Sequence, residues 1–230
     1  MNIGGLQKTS LLDYPDNLSA IIWTVGCNFH CPFCYNKDIV EGKTGLISEE
    51  ELFVFLEKRK GLIEGLVITG GEPLIQEDIT DFCEKVKRLG YLIKIDTNGT
   101  YPEKLRELFD KKLVDYIAMD VKAPKKKYND LSGVKADIKQ IQESIDIIRK
   151  SGVDYEFRTT FIPELLTQKD IVEIGEWLKG SKRFYIQQFK NDVPMISSKM
   201  SAIKPYMKEE FLHTLDKVKA FFEFCNVRGI

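Results

Sequence analysis

The sequence lacks any apolar run that approaches the ~20 residues a helix needs to span a bilayer. Residues 1–5 show neither the basic segment nor the long apolar stretch that opens a signal peptide. Charge of one sign is not in excess either, because 34 Lys and Arg residues balance 35 Asp and Glu residues to a formal net charge of −1. We therefore expect a cytoplasmic protein, with no membrane and no nucleic acid among its partners.

Internal repeats, low-complexity tracts and Gly/Ser-rich linkers are also missing, which favours one domain over residues 1–230. Short apolar runs alternate with longer amphipathic ones. A helix is predicted to open at Ser48, where a Ser-x-x-Glu capping box occurs. The predicted strands cover residues 18–25, 66–69, 91–97, 116–121, 155–161 and 184–189. The other predicted helices lie near residues 77–89, 102–111, 137–150, 168–178 and 208–225.

Six strand–helix alternations predict an α/β fold with a parallel sheet and right-handed crossovers. Six units are too few for a complete eight-fold barrel, so we expect a partial (β/α)6 barrel with outer helices. An open doubly wound sheet is the alternative. Both architectures place their chemistry at the carboxyl ends of the strands.

Cysteine is scarce and unevenly placed. Of five cysteines, Cys27, Cys31 and Cys34 lie within eight residues directly after the first predicted strand. An odd, clustered set does not fit a disulfide framework. Thiolates bind iron–sulfur clusters and zinc, and three of them leave one iron of a [4Fe–4S] cluster open to a small molecule. A structural zinc site, completed by His30 or a distant cysteine, is the alternative, although no second Cys pair is present.

Polar and glycine residues follow the next two predicted strands. Gly70, Gly71, Glu72 and Pro73 form a turn in which two glycines allow a ligand to approach the backbone closely. A simple tight turn would have the same composition. The segment 96–98, Asp-Thr-Asn, has side chains that can hydrogen-bond ribose hydroxyls, and it is also typical of a β-turn.

Charged residues mark the fourth and fifth predicted strands. Asp120 and Lys122 are two residues apart, so their side chains should leave the strand in the same direction. Arg158 lies within an apolar strand and needs a partner there. Structural salt bridges would explain all three, but charges at the ends of apolar strands are also candidates for a functional site.

The cysteine spacing C-x3-C-x-aromatic-C after the first strand resembles that of the radical S-adenosylmethionine superfamily. This resemblance implies a [4Fe–4S] cluster on Cys27, Cys31 and Cys34, an open iron that chelates S-adenosylmethionine, and Phe33 near the adenine. Residues 70–73 resemble the GGEP motif, whose backbone and Glu72 would hold the methionyl ammonium. Asp96, Thr97 and Asn98 resemble a D-T-N-G segment and would contact the ligand.

Asp120 and Lys122 resemble the D-x-K motif of the activases of glycyl radical enzymes. There Lys122 would pair with the methionyl carboxylate and Arg158 would contact S-adenosylmethionine. A monovalent cation is further implied, with Asp96, Thr97, Asp120 and the Ala118 carbonyl as ligands. Residues 5–15 resemble the start of anaerobic ribonucleoside-triphosphate reductase activating proteins. The implied partners are a glycyl radical enzyme as protein substrate and a flavodoxin- or ferredoxin-type electron donor.

Two departures from the pyruvate formate-lyase activating enzyme disfavour pyruvate formate-lyase as the substrate. Residues 161–164 stand where that enzyme has a Pro-Gly turn, and the sixth predicted strand lacks the histidine that the enzyme has there. The alternatives are a radical enzyme that acts on a small molecule, such as a deazapurine-forming synthase, and a non-catalytic iron–sulfur protein. Cys83 and Cys225 fall on predicted helices, where cysteine usually packs as a hydrophobic residue.

Overall fold

The computed structural model describes residues 1–230, and its eight strands form a sheet in chain order. The first and second strands pair in antiparallel orientation. Four further pairs are parallel: the second with the third, the third with the fourth, the sixth with the seventh, and the seventh with the eighth. The predicted α/β fold with a parallel sheet and outer helices is confirmed. The strands are β1 Ile3–Ser10, β2 Ser19–Thr24, β3 Gly65–Gly70, β4 Leu92–Thr97, β5 Tyr116–Asp120, β6 Asp154–Phe161, β7 Arg183–Gln188 and β8 Phe224–Arg228.

The helices begin where local capping favours them. Ser48 accepts a hydrogen bond from the Glu51 amide, which confirms the predicted helix start, and Thr167 with Asp170 forms a capping box at a later one. The α-helices are α1 Lys37–Val40, α2 Glu49–Arg59, α3 Ile79–Arg88, α4 Pro102–Asp110, α5 Tyr128–Ser132, α6 Ile138–Lys150, α7 Gln168–Trp177 and α8 Lys208–Val218. No helix is both long enough and apolar enough to cross a membrane.

The six predicted strands correspond to β2–β7 with small shifts at their ends, and β1 and β8 are additional. The prediction of one helix over residues 208–225 is wrong beyond Val218. A single 3-10 turn, Lys219–Phe221, follows α8, and the chain then enters β8. Cys225 therefore lies on a strand, whereas Cys83 lies on α3 and is buried, as predicted.

The chain divides into two compact units. Unit 1 comprises 1–28, 38–118 and 140–154, and unit 2 comprises 29–37, 119–139 and 155–230. The single domain predicted over residues 1–230 stays a prediction.

Each unit has its own apolar contacts. In unit 1, Tyr14, Ile21 and Val67 pack with Tyr116 and Ala118 in one buried cluster. Unit 2 contains several aromatic pairs: Phe161 with Phe211, Phe184 with Phe222, and Tyr128 with Trp177.

Candidate active site

The loop with the three cysteines begins directly after β2. Cys31 is buried, Cys27 and Cys34 are half-buried, and none of the three is in a disulfide. At its start, the Gly26 amide donates a hydrogen bond of 2.9 Å to the Ile39 carbonyl. The strand exit and the helix that follows the loop therefore hold its first residues.

The second half of the loop is held by a segment that follows β7. The amide of Ile196 donates to the Cys34 carbonyl at 3.0 Å, and the amide of Ser197 donates to the Pro32 carbonyl at 2.9 Å. Phe33, the predicted adenine-side aromatic, is buried in this part of the loop. The supporting segment is not predictable from the sequence, because backbone donors leave no residue pattern.

The electrostatic surroundings of Cys31 matter because iron binds the thiolate, not the thiol. Burial raises the pKa of the Cys31 thiol to about 11, and the positive charge of Lys122 acts in the opposite direction. A cation placed beside a buried thiol favours its ligand form. Burial outweighs Lys122 here, so the Cys31 thiol stays protonated at neutral pH and a bound metal would itself stabilise the thiolate.

The GGEP segment passes very close to the start of the cysteine loop. A Cβ on Gly71 would lie 1.8 Å from the Gly26 carbonyl oxygen, and Gly70 has a φ of +125°. The amide of Glu72 donates to that same Gly26 carbonyl at 2.9 Å. Only glycine permits this approach at position 71, so the segment is a close backbone contact and more than a simple turn.

The Glu72 carboxylate joins the GGEP segment to the D-T-N-G segment. It is 1% exposed and accepts hydrogen bonds of 2.7 Å from Thr97 Oγ1 and 2.7 Å from the Asn98 amide. It also accepts from the Leu74 amide, so that it caps the 3-10 turn that begins at Pro73. The structure thus brings together two segments that were predicted separately.

Asn98 connects this group to the residue after the first cysteine. Its side-chain amide donates to Asn28 Oδ1 at 2.8 Å, and Asn28 in turn donates to Thr100 Oγ1 at 2.8 Å. Asn28 and Thr100 were not among the predicted site residues. Asn28 follows Cys27 and Thr100 follows the D-T-N-G segment, so their neighbours in the sequence could have indicated them.

Asp96 has a partner that the sequence did not indicate. The ammonium of Lys94 forms a salt bridge with its carboxylate, and the Lys94 side chain is only 3% exposed. The two residues are two apart on β4 and share a face of the strand. Asp96 therefore has its own buried counter-ion.

Asp120, Lys122 and Arg158 form one charged cluster, which confirms the predicted shared direction of Asp120 and Lys122. Arg158 Nε lies 3.0 Å from Asp120 Oδ1, and Lys122 Nζ lies 3.2 Å from Asp120 Oδ2. Burial opposes the charge of Asp120, but Arg158 and Lys122 hold the pKa of its carboxyl well below its ordinary range. Asp120 raises the pKa of Lys122 despite burial, so all three groups stay charged at neutral pH.

The donor chemistry of the loop fits an iron–sulfur cluster. No three His, Cys, Asp or Glu side chains converge on a point where they could hold one metal ion. A [4Fe–4S] cluster is bound differently, by one cysteine on each of three irons, so its ligands need not converge. A monovalent cation fits less well, because the carboxylates of Asp96 and Asp120 already pair with Lys94, Lys122 and Arg158; that cation stays a prediction.

Comparison with known families identifies the fold and its class of chemistry. A family model described as the radical SAM superfamily matches residues 21–178. The chain belongs to the radical SAM superfamily.

Individual relatives of this radical SAM protein differ in their named activities. A Methanocaldococcus jannaschii protein, provisionally named a glycyl-radical enzyme activating enzyme, is 38% identical over 194 residues, which cover 82% of this chain and 80% of that protein. A 7-carboxy-7-deazaguanine synthase of Thermoplasma acidophilum is 30% identical over 139 residues, 59% of this chain and 63% of the synthase.

Among solved structures, Streptococcus suis SuiB bound to S-adenosylmethionine superposes with a TM-score of 0.69 at 16% identity. The match covers 90% of this chain and 49% of SuiB, so the chain spans about half of SuiB. SuiB has also been solved with its precursor peptide SuiA. This likeness shows the shared fold.

Proposed function

We propose that this protein activates a glycyl radical enzyme. It would cleave S-adenosylmethionine reductively, and the resulting 5′-deoxyadenosyl radical would abstract a hydrogen atom from one glycine of a partner of the anaerobic ribonucleotide reductase type. The observation that carries this proposal is the 38% identity to a provisionally named activating enzyme over most of both chains. The three-cysteine loop supports the class of chemistry.

Cys27, Cys31 and Cys34 would hold the [4Fe–4S] cluster. When bound and reduced, the cluster supplies the electron that breaks a carbon–sulfur bond of S-adenosylmethionine. The protein's own contribution is to bind and orient the ligand and to exclude water. None of these tasks requires a histidine, and the chain contains only two histidines.

Lys122 and Arg158 offer two cations for the methionyl carboxylate. Both already contact Asp120, at 3.2 and 3.0 Å, which fixes their positions before a ligand arrives. Preorganised charges of this kind lose less conformational entropy on binding than mobile ones. Asp120 would thus hold two binding groups in place.

The network around Glu72 would shape the ammonium and ribose contacts. Glu72 fixes Thr97 Oγ1 and the Asn98 amide through bonds of 2.7 Å, and it holds its own segment through the Leu74 amide. Gly70 and Gly71 expose backbone beside the loop. These contacts support a role for residues 70–73 and 96–98 in binding S-adenosylmethionine, and Phe33 would lie at the adenine.

The proposed partners are a protein substrate and a small redox protein. Binding of a peptide by SuiB, a protein of similar fold, is compatible with a polypeptide substrate. The electron would come from a flavodoxin- or ferredoxin-type donor, and cytoplasmic localisation completes the proposal. These assignments follow from the proposed activity.

The first experiment measures cleavage of S-adenosylmethionine. Protein reconstituted anaerobically with iron and sulfide, then reduced, should form 5′-deoxyadenosine. Cys27→Ala, Cys31→Ala and Cys34→Ala should each abolish it, whereas Lys122→Ala should chiefly weaken binding, at least about tenfold for one lost charge-assisted contact. Lys126→Ala, which removes an exposed partner of Glu173, is the matched control. Full product formation by any of the cysteine variants would refute the cluster assignment.

A second experiment tests the substrate. Addition of a glycyl radical enzyme of the anaerobic ribonucleotide reductase type should give a glycyl radical signal in electron paramagnetic resonance. The similarity to 7-carboxy-7-deazaguanine synthase favours a second candidate, a small-molecule substrate. Consumption of the synthase's substrate, without a glycyl radical, would support that candidate instead.

A further inference from the structure

Charged side chains form an alternating series that runs from the end of β5 to β8. Lys122 contacts Asp120, Asp120 contacts Arg158 Nε at 3.0 Å, and Arg158 Nη1 lies 4.0 Å from Glu156 Oε1. The last contact of the series joins Glu156 to Arg228 of β8. All of these residues belong to unit 2. No motif in the sequence indicates a role for Glu156 or Arg228.

The Glu156–Arg228 contact is the closest of the series. Arg228 Nη1 and Nη2 donate to the two carboxylate oxygens of Glu156 at 2.6 and 2.8 Å, a bidentate geometry. Glu156 is 1% exposed, and the guanidinium of Arg228 lies 3.3 Å from the ring centroid of Tyr185. The ring and the carboxylate together define the position of Arg228.

Arg158 stands between two carboxylates that compete for it. Glu156 and Arg158 are two residues apart on β6 and share a face of the strand, and Arg158 is close to Asp120 on one side and to Glu156 on the other. A buried carboxylate needs a cationic partner. Because Arg228 satisfies Glu156 on both oxygens, Arg158 can remain on Asp120.

We propose that Arg228 is a positioning residue for the S-adenosylmethionine site, which by pairing with Glu156 keeps Arg158 on Asp120. This inference rests on the proposed binding role of Asp120 and Arg158. It gives the last strand of the sheet a task in ligand binding, although Arg228 itself would not touch the ligand.

The test uses cluster-reconstituted protein, labelled S-adenosylmethionine and equilibrium dialysis. Arg228→Gln should weaken binding about tenfold, the usual effect of losing one charge-assisted hydrogen bond, because Arg158 turns towards Glu156. Glu156→Gln should change the affinity little, since Arg158 stays on Asp120. The double variant Glu156→Gln/Arg228→Gln should regain most of the affinity, because no carboxylate at position 156 remains to draw Arg158 away from Asp120.

Matched controls are Arg106→Gln and Arg106→Gln/Glu143→Gln, which remove a half-exposed pair in unit 1 by the same chemical changes. Both should bind like wild type. Unchanged affinity in Arg228→Gln would overturn the proposal. So would a double variant as weak as Arg228→Gln, because that result would mean that Arg228 only anchors β8. Failure of the wild type to bind S-adenosylmethionine would instead contradict the proposed function.

Two further variants apply if Arg228→Gln does not fold. Arg228→Lys keeps a positive charge but loses the bidentate geometry, so its affinity should fall between wild type and the expected tenfold loss. The double variant carries no buried charge at this position and should fold. Wild-type affinity in Arg228→Lys together with loss of affinity in the double variant would contradict the competition between Glu156 and Arg228.

Discussion

Lys94 is an unusual residue for a strand interior, since lysine is almost never fully buried without a partner. Its partner is Asp96 on the same face of β4. Asp120, the other carboxylate implied for a monovalent cation, likewise pairs with Lys122 and Arg158. Fixed side-chain cations therefore already neutralise both carboxylates.

We therefore expect S-adenosylmethionine binding by the wild type to be unaffected when Na⁺ and K⁺ are replaced by choline. Lys94→Met removes the ammonium beside Asp96 and should lower the free energy of unfolding by about 3 kcal/mol, the usual effect of breaking a buried pair. Its ligand affinity should also become dependent on Na⁺ or K⁺. Equilibrium binding and urea unfolding measure these two effects.

Lys87→Met is the matched control, because Lys87 pairs with a partly exposed carboxylate, Asp115, that is not among the candidate site residues. Lys87→Met should lower the free energy of unfolding by well under half of the amount expected for Lys94→Met, and its affinity for S-adenosylmethionine should not depend on Na⁺ or K⁺. If the wild-type protein needs Na⁺ or K⁺ to bind S-adenosylmethionine, then Lys94 does not take the place of a metal cation.

At the scale of elements, the turn after β3 determines where the cysteine loop starts. Gly71 packs against the Gly26 carbonyl, and a Cβ there would also lie 3.2 Å from the Cys27 amide nitrogen. These neighbours are backbone atoms, so they cannot move aside as a flexible side chain can. Any side chain at position 71 must displace the turn or the loop.

Gly71→Ala should consequently reduce cluster incorporation several-fold, while the far-ultraviolet circular dichroism stays near that of the wild type. Iron and sulfide content after anaerobic reconstitution measures the effect. Gly45→Ala is the control, because a Cβ at Gly45 meets nothing within 4 Å. If Gly71→Ala binds as much iron and sulfide as Gly45→Ala does, the close approach is not needed for the cluster.

The elements differ in how well the sequence predicts them. The strands β2–β7 were predictable because each carries a short apolar, β-rich run between amphipathic stretches, and the continuous run at residues 66–68 is typical of a strand covered on both faces. β8 was not, because Phe221, Phe222 and Phe224 extend the apolar spacing of α8. In the structure Phe222 instead stacks on Phe184 of β7, with ring centroids 4.8 Å apart. A tertiary contact thus overrides the local helical pattern.

The same distinction applies to the candidate site. Cys27, Glu72 and Lys122 belong to short segments whose spacing can be read locally. Glu156 and Arg228 are 72 residues apart, and each alone is an ordinary charged residue on a strand. Their pairing depends on the register of β6, β7 and β8, which no local pattern contains. The sequence predicts the segments that would touch the ligand, and it does not predict the residues that hold them in position.

At the scale of the whole molecule, the two named classes of relative match this chain to different extents. The identity to the provisionally named activating enzyme extends over 194 residues, and that to the deazaguanine synthase over 139 residues at a lower level. The longer match supports the activating function that we propose.

Transfer of deuterium distinguishes the two classes directly. A glycyl radical enzyme of the anaerobic ribonucleotide reductase type, produced with α-deuterated glycine, should pass deuterium to 5′-deoxyadenosine, because hydrogen abstraction from the glycine Cα forms the new carbon–hydrogen bond. Mass spectrometry of the nucleoside measures the label. A partner whose radical-forming glycine is replaced by alanine should give unlabelled product only. Unlabelled product from the intact deuterated partner, with conversion of the deazaguanine synthase substrate in its place, would assign the whole chain to small-molecule chemistry.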